Sequence, residues 1–407
     1  MYDYQRAFAT NIATLKTENR YRIFAKLLRD SRKFPKAKYF LEQETSKEVT
    51  IWCSNDYLGQ GCNQHVIRAM CKAAKETGTG AGGTRNISGN SYYHYLLEQT
   101  LANYHEKQAA LLFSSGYVAN EAAITGLVQA LPGCVIFSDQ KNHASIITGI
   151  KSSRAAKHVF KHNDLIELEK LLNQYSINIP KLIVFESVYS MDGDFGRIVE
   201  ISELAKKYNA LTYLDEVHAV GMYGKTGAGL AQLYNASNKI DIIQATLGKA
   251  IGCVGGYIAA NDLLIDVIRS NASGFIFTTS IPPAIAAASL ASINYLQSEA
   301  GDKLRQKQQK NAKTLKIMLK NSNLPIIETN SHIIPLMVND SSKCNKLSQA
   351  LLDKYNIYLQ PINYPTVEKG FERLRITPTP LHSQTMIEEL VIALQELWKE
   401  LHLPYAE

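Results

Sequence analysis

Cysteine is sparse in this 407-residue chain, and Cys53, Cys62, Cys71, Cys134, Cys253 and Cys344 form no CxxC pair. That pattern excludes a disulfide-built scaffold and a structural zinc module; no metal is expected, and reduced thiols in a cytoplasmic setting fit it. Long apolar runs are also missing, so no membrane-spanning segment is expected. The N-terminal stretch "MYDYQRAFATNIATLKTENRYRIF" is polar and begins an amphipathic helix at once, without the apolar core of a signal peptide. Massed charge of one sign is absent too. The net charge of +7 comes from 44 Lys+Arg scattered among 37 Asp+Glu, which argues against a nucleic-acid surface and leaves room for small anionic ligands. Neither internal repeats nor low-complexity segments occur, which excludes solenoids and disordered tracts.

What is present is an ordinary globular composition, 45% hydrophobic and 20% charged, over a length that calls for two or three structural units. Apolar runs at 109–115, 133–139, 181–187, 211–217, 241–246, 255–260 and 275–280 read as strands, with helical patterns such as "DLIELEKLLNQ" (164–174) and "VEISELAKKYN" (199–209) between them. This α/β rhythm predicts a large, mostly parallel sheet with helices on both faces. After the helical "PPAIAAASLASINYLQ" (282–297), a Lys/Gln-rich helix at 302–321 leads to strand patterns at 333–338, 357–362 and 373–378. The division expected is an N-terminal arm of helices over 1–50 with a hairpin near "LEQETSKEVTIW", a large domain over 51–296, and a smaller C-terminal α/β domain over 297–407.

Familiar nucleotide motifs occur here in the wrong context. "GTGAGG" (78–83) follows a helical stretch and does not open a helix, so the dinucleotide reading fails. "AVGMYGKT" (219–226) and "DEVH" (215–218) resemble a phosphate loop and an acidic box, but they lie back to back in reverse order.

A different chemistry fits the same region. Asp215 closes one predicted strand, His218 follows three residues later, and Lys249 lies just after the next strand, in "ATLGKAIG". Ligands of open α/β sheets collect beyond the carboxyl ends of strands, so all three groups can face one crevice. A lysine amine, a carboxylate and an imidazole there suit pyridoxal 5'-phosphate: the amine condenses with its aldehyde and the carboxylate pairs with its pyridine nitrogen. "SSGYVAN" (114–120) places Ser115, Gly116 and Tyr117 between a strand and a helix, a seat for a phosphate. His143, in "NHAS", can stack on a ring.

These residues sit in a chain that resembles, nearly end to end, the 5-aminolevulinate synthase branch of the α-oxoamine synthases, fold-type I pyridoxal-phosphate enzymes. The matching stretches are "ENRYRIF" (18–24), "WCSNDYLG" (52–59), "GAGGTRNISG" (80–89), "FSDQKNHASIITGI" (137–150), "FESVYSMDGDFG" (185–196), "YLDEVHAVGMYG" (213–224), "TLGKAIG" (246–252), "GFIFTTSIPP" (274–283) and "PINYPTV" (361–367). By that resemblance Lys249 is the Schiff-base lysine and proton-transfer base, Asp215 the pyridine-nitrogen partner, His218 the neighbour of the ring hydroxyl and His143 the stacking ring, a candidate to assist acyl transfer by hydrogen bonding to the carbonyl that develops charge. Ser115, Gly116, Tyr117 and Thr246 surround the phosphate, and Ser190 lies by the cofactor. Thr278 and Thr279 reach the phosphate from the other subunit of a homodimer.

The resemblance also implies the reaction: glycine condenses with succinyl-CoA, losing CoA and CO2, to give 5-aminolevulinate for tetrapyrrole and haem synthesis. Arg375 is the clamp on the glycine carboxylate, with Asn55 beside it. Arg22, Thr84, Asn86, Ile87, Ser138, Lys157 and Thr366 match positions that hold succinyl-CoA. Two positions depart from the family pattern, Asn19 for a usual Gly and Asn90 for a common Thr. Asn tolerates left-handed backbone angles, so the turn at 19 is expected to survive.

Overall fold

The runs 135–139, 181–186, 242–246 and 256–260 bury every side chain they carry, the signature of strands covered on both faces. The computed structural model describes residues 1–41 and 45–406. It places these runs in a seven-stranded sheet whose order is 109–113, 256–260, 242–246, 211–215, 181–186, 135–139 and 156–160. Strand Gly256–Ala260 is antiparallel to both neighbours; the remaining pairs are parallel. The sheet belongs to a compact unit of residues 55–190 and 194–306.

Short side-chain caps start the helices that connect these strands. Ser115 accepts the N–H of Val118 at 3.1 Å to begin Gly116–Gln129, and Asp164 accepts that of Glu167 at 2.9 Å to begin Leu165–Leu172. Gly116–Gln129 is apolar on most sides and buries seven residues, as a helix lying on a sheet does.

The structure corrects one strand expectation. The run 275–280 is not a strand: residues 273–276 close a short helix, with Phe277 N–H bonded to Ser273 O at 3.0 Å, and Phe275 packs edge-on against Phe113. The amides of Phe275, Ile276 and Phe277 are spent within the turn, and beyond it Thr279 makes an isolated bridge to Thr84. Conversely, Ala156–Phe160 is a strand that the apolar pattern missed, because its edge position leaves Lys157 and Val159 exposed.

The other compact unit holds residues 1–54, 191–193 and 307–407. Among the described residues of the N-terminal 50 there is one helix, Tyr4–Thr17, capped by Asp3, and then strands Lys26–Arg29, Lys36–Phe40 and Ser46–Ile51 in place of further helices. Alternation across the expected hairpin sets the register, with Phe40 opposite Ser46; the hairpin residues 42–44 lie outside the described ones. Strand Ile357–Tyr358 extends this sheet in parallel with Ser46–Ile51. A three-stranded sheet of Ile334–Met337, Arg373–Ile376 and Pro361–Ile362 shares its core with Trp52 and Trp398. Asn19 has φ 56°, the left-handed turn that its Asn accommodates.

Candidate active site

Register brings the site together. In the large sheet Glu186 lies opposite Asp215 and Asp215 opposite Gln244, so these parallel strands end at one edge. Asp215 is almost wholly buried. Its Oδ2 accepts Asn120 Nδ2 at 2.9 Å and its Oδ1 accepts the N–H of Val217 at 2.8 Å. Burial pushes its carboxyl pKa up, while those two donors favour the anion. On the next strand Glu186 accepts the N–H of His143 at 2.6 Å, and burial with the nearby charge of Asp215 pushes its carboxyl well above the usual carboxylate range. Of the two carboxyls Asp215, with its two donors, is the better placed to carry a charge.

Lys249 follows the strand Ile242–Thr246 in a turn closed by Gly252 N–H to Lys249 O at 2.8 Å. Its Nζ is 2.7 Å from His218 Nε2, and His218 Nδ1 is 2.7 Å from the hydroxyl of Tyr57. Tyr57 donates to Asn55 Oδ1 at 3.1 Å, which assigns Nδ1–H of His218 as the donor to Tyr57 and leaves Nε2 to accept from the lysine. Tyr57 is fully buried. Nothing local in "WCSNDYLG" marks this role, because its partner lies 161 residues away.

The turn at Ser115–Tyr117 brings a helix start close to a strand end. A Cβ at Gly116 would lie 3.2 Å from both Cβ and Oγ1 of Thr246, so a glycine permits this approach of helix N-terminus to strand end. Ser115 caps the helix and Tyr117 bonds Thr148 Oγ1 at 2.8 Å. His143 is open to solvent on one side only, with Nδ1 against Ser145; its ring lies 6.5 Å edge-on from that of Tyr117, and surrounding protein lowers its pKa. A partly buried amine, a donor-held carboxylate and a glycine cradle at a helix start are the parts that pyridoxal 5'-phosphate requires, and these residues fit it.

The remaining positions fall into separate groups. Ser138 is buried and accepts Asn142 Nδ2 at 2.9 Å. Ser190 sits on a hairpin closed by the Val188–Phe195 bridge. Asn86 and Ile87 occupy a single wide π-turn over Arg85–Gly89, a feature frequent at functional sites. Thr84 is bridged to Thr279, and Ser280 N–H bonds Gly83 O at 3.1 Å. Thr278 and Thr279 line a small cavity of about 20 Å³ with Arg85 and Phe275. Lys157 is exposed on the edge strand. In the other unit Arg375 is buried on its strand, whereas Arg22 and Thr366 are exposed. Among the described residues no His/Cys/Asp/Glu cluster could hold a metal.

The model of aminotransferases of class I and II matches residues 47–394. A 5-aminolevulinate synthase of Cereibacter sphaeroides is 51% identical over 405 residues, covering 100% of this chain and 99% of that protein. The chain belongs to the 5-aminolevulinate synthase family. A synthase of Bradyrhizobium diazoefficiens is 49% identical, covering 99% of this chain and 98% of that one. The erythroid-specific mitochondrial synthase of Bos taurus is 47% identical, with 99% of this chain and 69% of that one covered. In fold it is similar to SPT solved with PLP, at TM-score 0.90 and 28% identity over 98% and 100% of the two chains. A serine palmitoyltransferase of Sphingomonas wittichii gives 0.88 and 27% over 98% of each. The architecture is that of fold-type I pyridoxal-phosphate transferases.

Proposed function

We propose that the cluster around Lys249 is where this chain, a pyridoxal-phosphate-dependent acyltransferase, condenses glycine with succinyl-CoA to 5-aminolevulinate, releasing CoA and CO2, as the first step of tetrapyrrole and haem synthesis. The observation that carries this reading is the Lys249–His218 contact at 2.7 Å, set at the strand edge that bears the charged Asp215. When bound, pyridoxal 5'-phosphate supplies an aldehyde for the lysine and an electron sink for a carbanion at the glycine α-carbon.

The chain's own residues do the rest. Asp215 holds a proton on the pyridine nitrogen, its charge preserved by Asn120 and Val217. Nζ of Lys249 moves the proton at the glycine α-carbon, and His218, braced by Tyr57, orients that amine. Ser115, Gly116, Tyr117 and Thr246 seat the phosphate at the helix start, and Ser190 lies by the cofactor. Arg375 takes the glycine carboxylate, a task that suits a guanidinium's bidentate geometry, with Asn55 assisting. Arg22, Thr84, Asn86, Ile87, Ser138, Lys157 and Thr366 hold succinyl-CoA.

Two copies make one working enzyme in this reading, with Thr278 and Thr279 serving the partner's phosphate. Ile87 and Phe277 support it: they are 77% and 79% exposed on segments tied together by the Thr84–Thr279 bridge, apolar surface that a second copy would cover. No helix among the described residues is long and apolar enough to cross a membrane; with the family's bacterial members, this supports a cytoplasmic enzyme.

The test is CoA release by purified, cofactor-loaded protein given glycine with succinyl-CoA or acetyl-CoA in parallel. Release with succinyl-CoA and formation of 5-aminolevulinate are expected. Release with acetyl-CoA alone would keep the cofactor chemistry and refute the acyl-group assignment, and silence with both would refute the reading.

A further inference from the structure

Beneath His143 runs a hydrogen-bond chain whose direction is fixed. The hydroxyl of Tyr213 donates to Asn120 Oδ1 at 2.9 Å. The amide nitrogen of Asn120 therefore faces Asp215 Oδ2 at 2.9 Å and Ser145 Oγ at 3.0 Å. A flipped amide would set its oxygen against the carboxylate, acceptor against acceptor, so the charge of Asp215 locks the orientation. Ser145 accepts from Asn120, and its own hydroxyl proton is left to point at His143 Nδ1, 2.8 Å away. The same ring nitrogen receives the backbone N–H of Ser145 at 3.2 Å, as His143 caps the helix Ala144–Ser153. Both contacts need a lone pair on Nδ1. One protonation state satisfies every member of the chain, a neutral imidazole with its hydrogen on Nε2.

We propose that Asn120 and Ser145 are positioning residues that transmit the fixed charge of Asp215 to His143 and hold its imidazole as an Nε2–H hydrogen-bond donor. The inference rests on the reading of His143 as the ring over the cofactor, and it assigns that ring a definite part. It can donate a hydrogen bond to a substrate oxygen that gains charge, but it cannot collect a proton at Nδ1 without breaking two bonds. Tyr213, Asn120 and Ser145 are all buried, 1% exposed or less, so water does not substitute for a missing link. The titratable groups facing His143 are Asp215 from its strand, Lys249 from the turn, Glu186 beneath the backbone N–H and Tyr117 from the helix Gly116–Gln129; its own helix adds only Lys151, in the last turn. Burial and Lys249 lower its pKa and Asp215 raises it, with a net lowering.

The experiment is histidine C2-hydrogen exchange read by mass spectrometry across pH 5–8, on cofactor-loaded and cofactor-free protein without substrate. In the wild type the His143 midpoint is expected below the ordinary 6.5. Ser145→Ala should raise it by about half a pH unit or more, since the lost donor stabilised only the neutral ring. Tyr213→Phe, the gentler change, should raise it less, and melting curves verify that each variant is folded. A wild-type midpoint at or above 6.5 overturns the proposal without any variant, and so does an unmoved midpoint in folded Ser145→Ala. Because no substrate is present, the readout stands apart from the reaction. Failed CoA release with the expected exchange pattern refutes the proposed reaction alone, and normal release with unmoved midpoints refutes this inference alone.

Discussion

His162 carries a pH-dependent share of the stability of the large unit. It follows the edge strand Ala156–Phe160, with Nδ1 2.9 Å from Asp139 Oδ1 and Nε2 2.5 Å from Asp194 Oδ2. Asp139 ends the strand next to Ser138, and Asp194 lies on the hairpin that carries Ser190. Burial alone would push the pKa of His162 down; the bonds to the two carboxylates outweigh it and raise the imidazole to about 9 from an ordinary 6.5. Its side chain is only 15% exposed, but Asp194 is 34% exposed, so solvent screening trims the contribution to about 2–3 kcal/mol. The sign follows from linkage. Below pH 6.5 folded and unfolded chains both hold the proton, and the contribution is complete. Between 6.5 and 9 the unfolded chain gives its proton up while the folded one keeps it, so stability falls as pH rises, and beyond about 9 the gain is gone. The perturbation is His162→Gln, and scanning calorimetry from pH 6 to 9.5 is the assay. The wild type should melt about 2–4 °C above the variant at pH 6, with the gap shrinking toward pH 9.5. Parallel Tm curves over that range would refute the clamp.

Two further predictions concern the site. Lys249→Ala should leave a folded protein that binds the cofactor without a covalent bond to the chain, and should lower turnover by roughly 10²–10⁴-fold; turnover near the wild-type rate removes Lys249 from the mechanism. Asp215→Asn should slow exchange of the glycine α-proton in deuterated buffer by roughly 10²-fold, because a neutral amide cannot hold the pyridine nitrogen protonated. Undiminished exchange by NMR would count against that pairing.

What was legible in the sequence is what each segment decides locally. An apolar run ending in Asp215, a lysine among small residues after the next run and a Ser-Gly pair between strand and helix all announce themselves within a few residues. Pairings that cross the chain do not. Asn120 finds Asp215 across 95 residues, and Tyr57 finds His218 across 161. An Asn inside a helix and a Tyr in a polar turn have unremarkable neighbours until the fold supplies the partner. The run at 275–280 misled for the opposite reason. Phe275 and Ile276 pack into the core around Phe113, and the backbone there closes on itself in a short helix instead of pairing as a strand. The edge strand at 156–160 hid behind Lys157, since a strand with one open side needs no continuous apolar face.

The helix Gly116–Gln129 ties the two ends of the site to one rigid body. Its first residue allows the close approach to Thr246, and Asn120, four residues on, reaches Asp215. Residues at this spacing lie on one face, about 6 Å apart along the axis. The distance between Gly116, the proposed phosphate seat, and Asp215, the proposed partner of the pyridine nitrogen, is thus set by helix geometry and not by loops. A side chain added at Gly116 must displace Thr246 or tilt the helix, and a tilt carries Asn120 with it. Damage at the phosphate end should therefore appear at the opposite end of the ring, as a weaker hold on the charge of Asp215 and a changed His143.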